Sequence, residues 1–314
     1  GDTQVNLVAQ YEYTPTAGEV DGYNFGGRAE VWLGDNIRLG ASGLLEQTGN
    51  GDESADQRVV GADILLQHSE NTWVRAAIAQ SRGPGFGRTL SDDGGLTSID
   101  EASSGTADKD ALAWKVEAQA DLADISDGAI EGRIAAHFED RQSGIVSLDH
   151  DVAVDELIWG VSLSVKPSDD LEASIAYDEY RNDDGVSRLE LEADAAYQLN
   201  QYWKTTFGVA YSDVSDPASP TENGERVDLA VEIEYAADED KRYYVFGQTT
   251  ALKTGQRGEN HRAGAGLEAA LTETLSVEAE GSYGSAGWAA LANLVWEPDD
   301  DKRRYIGYER SADG

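Results

Sequence analysis

The sequence predicts an all-β fold, a transmembrane antiparallel up-and-down β-barrel of about 16–18 strands. Three observations lead to this prediction. Apolar and polar residues alternate through most of the chain, the alternating segments are about ten to twelve residues long, and the connections between them alternate between short and long. These features indicate strands that are apolar on one face and polar on the other.

The alternation is clearest at residues 189–199. One face of this segment reads Leu189, Leu191, Ala193, Ala195, Tyr197 and Leu199, and the other face carries Glu190, Glu192 and Asp194. Residues 112–122 and 227–235 repeat the pattern. On a helix these charges would be spread around the whole surface, whereas on a strand they share one face.

Seventeen such segments follow one another, and no linker divides the chain. They lie near residues 4–14, 23–34, 37–48, 57–69, 72–83, 111–123, 128–141, 153–166, 170–181, 186–199, 202–213, 225–236, 241–253, 259–271, 274–284, 287–297 and 302–311. Strands of globular proteins average about five or six residues, whereas about 9–11 tilted residues cross the hydrocarbon core of a bilayer. The lengths therefore favour membrane-spanning strands.

The connections fall into two alternating sets. One set is short, at 34–36, 70–71, 124–127, 167–169, 200–201, 237–240, 272–274 and 298–301. The other set is mostly longer, at 15–22, 49–56, 84–110, 142–152, 182–185, 214–224, 254–258 and 284–286, with 182–185 and 284–286 as its short exceptions. Membrane-spanning barrels have short turns at one rim and longer loops at the other. Tyr and Trp residues lie near both sets, as in interfacial aromatic girdles.

Composition excludes several classes of function. The chain carries 60 Asp and Glu against 24 Lys and Arg, a net charge of −36, so nucleic acid is not an expected partner. It has no Cys and only four His, and no apolar run reaches the roughly 18 residues typical of a membrane-spanning helix. We expect the chain to be a mature or trimmed segment from which a targeting signal has been removed.

On this architecture the sequence resembles Gram-negative outer-membrane β-barrels, porins in particular, and more loosely the carboxy-terminal barrels of multidomain surface proteins. The resemblance covers essentially the whole chain, and no motif names one protein. The sequence departs from these barrels in two respects. Such barrels close on an aromatic residue, whereas this sequence ends at Arg310-Ser311-Ala312-Asp313-Gly314. Bacterial barrels have an even number of strands, whereas the predicted number here is odd. Either one strand is miscounted or the chain continues beyond Gly314.

The resemblance implies one barrel domain over residues 1–314 in the outer membrane of a Gram-negative bacterium. Its implied partners are outer-membrane lipid and lipopolysaccharide, small ions or solutes, and further copies or additional domains of a longer chain.

The polar face supplies the candidate pore-lining residues, and the two signs of charge are unevenly distributed along the chain. The first seven strands contribute Arg28, Arg38, Arg75, Lys115 and Arg133, and the later strands contribute Glu172, Asp178, Glu190, Glu192, Asp194, Asp228, Glu232 and Glu234. This arrangement resembles the charged constriction of porins, which selects solutes by charge. The alternative is a plugged or purely structural lumen whose charges form local salt bridges.

The longest connection, 84–110, follows the fifth strand, as does the loop that narrows the porin lumen. It is rich in Gly and Asp, and its candidate constriction residues are Asp92, Asp93, Asp100 and Glu101. On composition alone it could equally be a disordered external loop.

The sequence gives little support for catalysis, a cofactor or a metal. Acidic runs such as 299–301 lack the spacing and central Gly of an EF-hand. His137 and His150 lie near carboxylates, but no nucleophile elbow, phosphate loop or dinucleotide fingerprint is present. We therefore expect a passive, mildly cation-preferring channel for ions or small solutes. The alternatives are a barrel that anchors a larger cell-surface or periplasmic protein, and an acidic soluble β-protein.

Overall fold

The computed structural model describes residues 4–12, 23–47, 56–83, 88–90, 99–101, 109–145, 152–238, 240–299 and 302–311. Its strands are β1 (Gln4–Glu12), β2 (Tyr23–Leu33), β3 (Ile37–Gln47), β4 (Gln57–Gln67), β5 (Trp73–Arg82), β6 (Arg88–Leu90), β7 (Ile99–Glu101), β8 (Asp110–Asp121), β9 (Glu131–Arg141), β10 (Glu156–Ser168), β11 (Leu171–Asn182), β12 (Ser187–Gln198), β13 (Trp203–Ser215), β14 (Gly224–Asp238), β15 (Lys241–Lys253), β16 (Arg262–Thr272), β17 (Leu275–Gly284), β18 (Gly287–Asp299) and β19 (Lys302–Arg310). One helical turn, α1 (Leu122–Ile125), and a 3-10 turn at Pro220–Glu222 complete the described elements.

The chain divides into two compact units. The first comprises Gly1–Gly128, Arg133–Val161 and Glu179–Val186, and the second comprises Ala129–Gly132, Ser162–Asp178 and Ser187–Gly314. In the first unit β1 to β5, β8 and β9 pair antiparallel in chain order. In the second unit β12 to β19 do the same. Strands β9, β10 and β11 contribute residues to both units.

A small core lies at the end of the first unit where β5 ends and β8 begins. Ala111, Ile145 and Val152 are buried against one another. The connection after β9 is fixed there, because Gly144 N–H donates to Val152 O at 2.7 Å and Ser81 Oγ donates to Gly144 O at 3.2 Å. The described part of this long connection is therefore folded onto the strand ends.

The predicted fold class, an all-β antiparallel up-and-down β-barrel, is confirmed in strand length, strand direction and the sequential pairing within each unit. Each of the seventeen long strands begins and ends within three residues of the predicted bounds. Among the described residues, no helix has the length and apolar character needed to cross a membrane.

Two connections differ from the prediction. The 84–110 connection contains the short antiparallel pair β6–β7. The turn predicted at 124–127 begins as α1, because Asp121 caps a helical turn by accepting the Ala123 N–H at 2.9 Å.

Candidate functional site

The apolar face is exposed over much of its length on several strands. On β4 the exposed apolar residues are Val60, Ile64 and Leu66, and on β14 Leu229, Val231 and Ile233 are 46%, 38% and 42% exposed. In a soluble antiparallel sheet, such a face packs on a core. Because the structure describes only a handful of buried apolar residues, this face requires an apolar environment other than the described protein.

Aromatic residues lie at both ends of this face in the second unit. Near the short turns the Trp203, Tyr235 and Tyr243 rings follow one another across three strands, with centroids 4.9 Å and 6.5 Å apart. On β18, Trp288 and Trp296 lie at opposite ends, eight residues and so about 26 Å apart along the strand. A tilt of about 40° reduces this to about 20 Å, within the apolar band of about 25 Å on membrane barrels.

Arginine guanidinium groups accompany both of these tryptophans. Arg310 lies 3.9 Å from the Trp288 ring centroid and Arg304 lies 5.1 Å from that of Trp296. Such pairs place a cation beside an amphipathic ring, an arrangement that suits a boundary between hydrocarbon and water.

The polar face of the first unit contains a network of ion pairs around Asp63. Arg28 Nη1 lies 2.8 Å and Arg38 Nη2 lies 3.3 Å from the two Asp63 carboxylate oxygens. Glu30 lies 3.5 Å from Arg28 and 3.8 Å from Arg38. Two of the predicted pore-lining arginines are therefore brought together, and both are neutralised by carboxylates on the same face.

The other predicted cations of this unit differ in their pairing. Lys115 contacts Glu117 at 3.3 Å. Arg75 lies opposite Glu117 and Leu65 in the register and makes no ion pair or hydrogen bond with a described residue. Arg133 lies opposite Asp121 near a short turn, away from the Asp63 network.

A single arginine organises much of the acidic face in the second unit. The Arg242 guanidinium contacts Glu234 at 2.6 Å, Glu268 at 2.8 Å and Glu232 at 3.2 Å. It also lies 4.7 Å from the Tyr244 ring centroid. The predicted residues Glu232 and Glu234 are thus adjacent, as expected, and partly neutralised, which the sequence did not predict.

Several polar residues that the sequence argument missed support the same face. Tyr244 Oη donates to Glu280 at 2.7 Å, and Asn293 Nδ2 donates to Glu278 at 3.0 Å. Arg242 and Tyr244 could have been found, because both share the phase of Gln248 and Thr250 in β15. Their partners lie on neighbouring strands and depend on the register between strands. The alternation of residues within one strand does not determine that register.

The remaining acidic candidates have different surroundings. Asp228 is buried, contacts Arg226 at 2.8 Å and accepts from Thr250 Oγ1 at 2.7 Å. Asp194 accepts from Ser174 Oγ at 2.8 Å. Glu190 and Glu192 are exposed on β12 and make no ion pair with any residue in the described ranges. Glu172 and Asp178 are exposed on β11.

The constriction-loop prediction falls largely outside the described residues. Asp92 and Asp93 are not described. Asp100 and Glu101 belong to β7, where their backbones pair with Thr89 and Arg88 of β6. In the described ranges, no group of three or more His, Asp or Glu residues could hold a metal ion.

No family model matches the chain, and no curated protein matches its sequence. Among solved structures, a mutant of the Rh. blastica porin is 13% identical, with 91% of each chain covered and a TM-score of 0.42. A second mutant of that porin is 14% identical, covering 98% of this chain and 100% of the porin, with a TM-score of 0.40. A bacterial polysaccharide outer membrane secretin is 13% identical, covering 90% and 87%, with a TM-score of 0.38.

Proposed function

We propose that residues 1–314 form a single transmembrane β-barrel in the outer membrane of a Gram-negative bacterium, and that its polar face lines a channel for ions or small solutes. The observation that carries the proposal is the separation of two faces on the same strands. One face exposes Leu, Val and Ile between aromatic ends, and the other holds most of the charges of the strand centres. The apolar face is stable against lipid, and the charged face is stable against water, so a membrane-spanning barrel with an aqueous lumen accommodates both faces.

The channel prefers cations mildly, and Glu190 and Glu192 contribute most to that preference. Their charges are not neutralised by a described cation, whereas those of Glu232 and Glu234 are shared with Arg242. Fields of neighbouring carboxylates overlap within a Debye length of about 8 Å at physiological salt, which raises the local concentration of cations.

Planar-bilayer recording in a KCl gradient tests the proposal with two changes of opposite sign. Replacing Glu190 and Glu192 together by Gln should move the reversal potential toward zero. Arg242→Gln should move it away from zero, because three carboxylates lose their common cation. Both shifts should be larger in dilute than in concentrated KCl, because salt screens the charges.

The matched control is the double change of Asp183 and Asp184 to Asn, which removes two charges from the exposed turn between β11 and β12. It should shift the reversal potential less than the Glu190 and Glu192 change does. A folded, inserted wild-type protein without conductance would remove the channel and leave the membrane-anchor alternative. A protein that stays folded and monomeric without detergent would remove both.

A further inference from the structure

A hollow on the polar face of the first unit contains an arginine, Arg75, that makes no hydrogen bond or ion pair with a described residue. It has a volume of about 230 Å³ and is lined by Arg28, Asp63, Arg75, Lys115 and Glu139, with small residues between them. The space is large enough for several water molecules or for a small solute.

Strand register explains why the space exists. Ser42, Gly61, Ala79 and Ala113 lie side by side across β3, β4, β5 and β8. The next row on the same face contains Asp63, Ala77, Lys115 and Glu139, and the row after it contains Arg75 and Glu117. A row of small side chains therefore borders rows of charged ones.

The other charged groups around the hollow form ion pairs among the described residues, whereas Arg75 interacts with Asp63 without forming an ion pair or a hydrogen bond. Asp63 is paired with Arg28 and Arg38, Lys115 with Glu117, and Glu139 with Arg141 at 2.8 Å. Arg75 makes no hydrogen bond or ion pair within the described part of the chain, and its Nε is buried without a partner. A buried guanidinium nitrogen without an acceptor is costly, and a ligand that supplies one gains from satisfying it.

We propose that this hollow binds a small carboxylate-bearing solute through Arg75. A carboxylate presents two acceptor oxygens that match the planar guanidinium, and such bidentate pairs are among the stronger hydrogen-bonded contacts in proteins. The inference rests on the proposed function in one respect, because the polar face of the first unit must be open to water.

Isothermal titration of the detergent-folded protein with propionate at low ionic strength tests this site without requiring a channel. The wild type should bind propionate saturably and should not bind propionamide, which has the same shape without the charge. Arg75→Gln should weaken binding at least tenfold. Arg75→Lys should recover part of it, because lysine keeps the charge but not the two-pronged geometry.

Arg133→Gln is the matched control, since it removes the same charge from the same face away from the hollow and should leave the affinity unchanged. Circular dichroism must show that each variant keeps its strand content. No saturable binding by the wild type, or equal loss in Arg75→Gln and Arg133→Gln, would overturn the inference. Arg75-dependent binding by a protein that does not conduct would sustain the site and refute the channel.

Discussion

Leu229 and Ala230 are neighbours on β14 whose side chains lie on opposite faces of the sheet. Leu229 is opposite Val209 and Thr249, in phase with Val231 and Ile233, whereas Ala230 is opposite Gly208 and Gln248, in phase with Glu232. Both lie at nearly the same depth along the strand. They therefore report separately on the environments of the two faces.

Arginine at these two positions should have unequal effects. Leu229→Arg places a charge in hydrocarbon and should cost about 2–4 kcal/mol near the bilayer midplane. Ala230→Arg places it among water and carboxylates and should cost far less. Urea titration of refolding into lipid vesicles measures the difference, and equal losses would refute the assignment of the faces.

Asp124 ties two neighbouring turns together outside the strands. Ser69 Oγ and Thr72 Oγ1 donate to its carboxylate at 2.5 and 2.6 Å. The hydrogen bond from Ser69, followed by that from Thr72, lowers the pKa of the Asp124 carboxyl below its usual value. The charged form is therefore favoured in the folded protein.

The stabilisation from Asp124 should disappear in acid. Because the folded pKa is lowered, the contribution is complete above the unfolded value of about 3.9 and is lost as pH falls through the folded pKa. Asp124→Ala should unfold at lower urea than the wild type at pH 7, and the two midpoints should approach one another as pH falls below the unfolded pKa of about 3.9. A difference that stays constant down to pH 2 would contradict this account.

Among the elements, β15 and β16 fit together through glycines. Gly266 lies opposite Tyr244, and a Cβ at Gly266 would overlap the Tyr244 ring. Tyr244 is buried and donates to Glu280, so the ring has little freedom to move. Gly266 therefore leaves the space on the neighbouring strand that the Tyr244 ring occupies.

Gly266→Ala should destabilise the second unit by about 1–3 kcal/mol, the usual cost of overpacking. Gly247→Ala is the matched control, because a Cβ there meets nothing within 4 Å. Thermal or urea unfolding of both variants measures the difference. An unchanged Gly266→Ala midpoint would show that Tyr244 can move without loss.

The strands could be predicted from the sequence much better than the side-chain contacts between strands. Alternation of period two gave the bounds of strands such as β12 and β15, because burial on one face imposes that period directly. It also placed Glu232 and Glu234 on one face. Arg242 neutralises both residues because of the register between β14 and β15. The alternation within one strand does not determine how that strand is paired with its neighbour, so this contact could not be predicted.

Across the whole barrel, we expect every long strand to separate lipid from water. The chain contains no Cys, so single cysteines can be introduced and labelled without background. Positions 229–234 of β14 are suitable, because they alternate between the two faces and include no buried residue.

Nitroxide scanning of positions 229–234 in lipid vesicles measures this separation through collision rates with oxygen and with a water-soluble nickel complex. Labels at 229, 231 and 233 should be accessible to oxygen, which concentrates in hydrocarbon, and labels at 230, 232 and 234 to the nickel complex. The two profiles should therefore alternate with opposite phase. Nickel accessibility at all six positions, or at none of them, would contradict a membrane-spanning strand beside an aqueous channel.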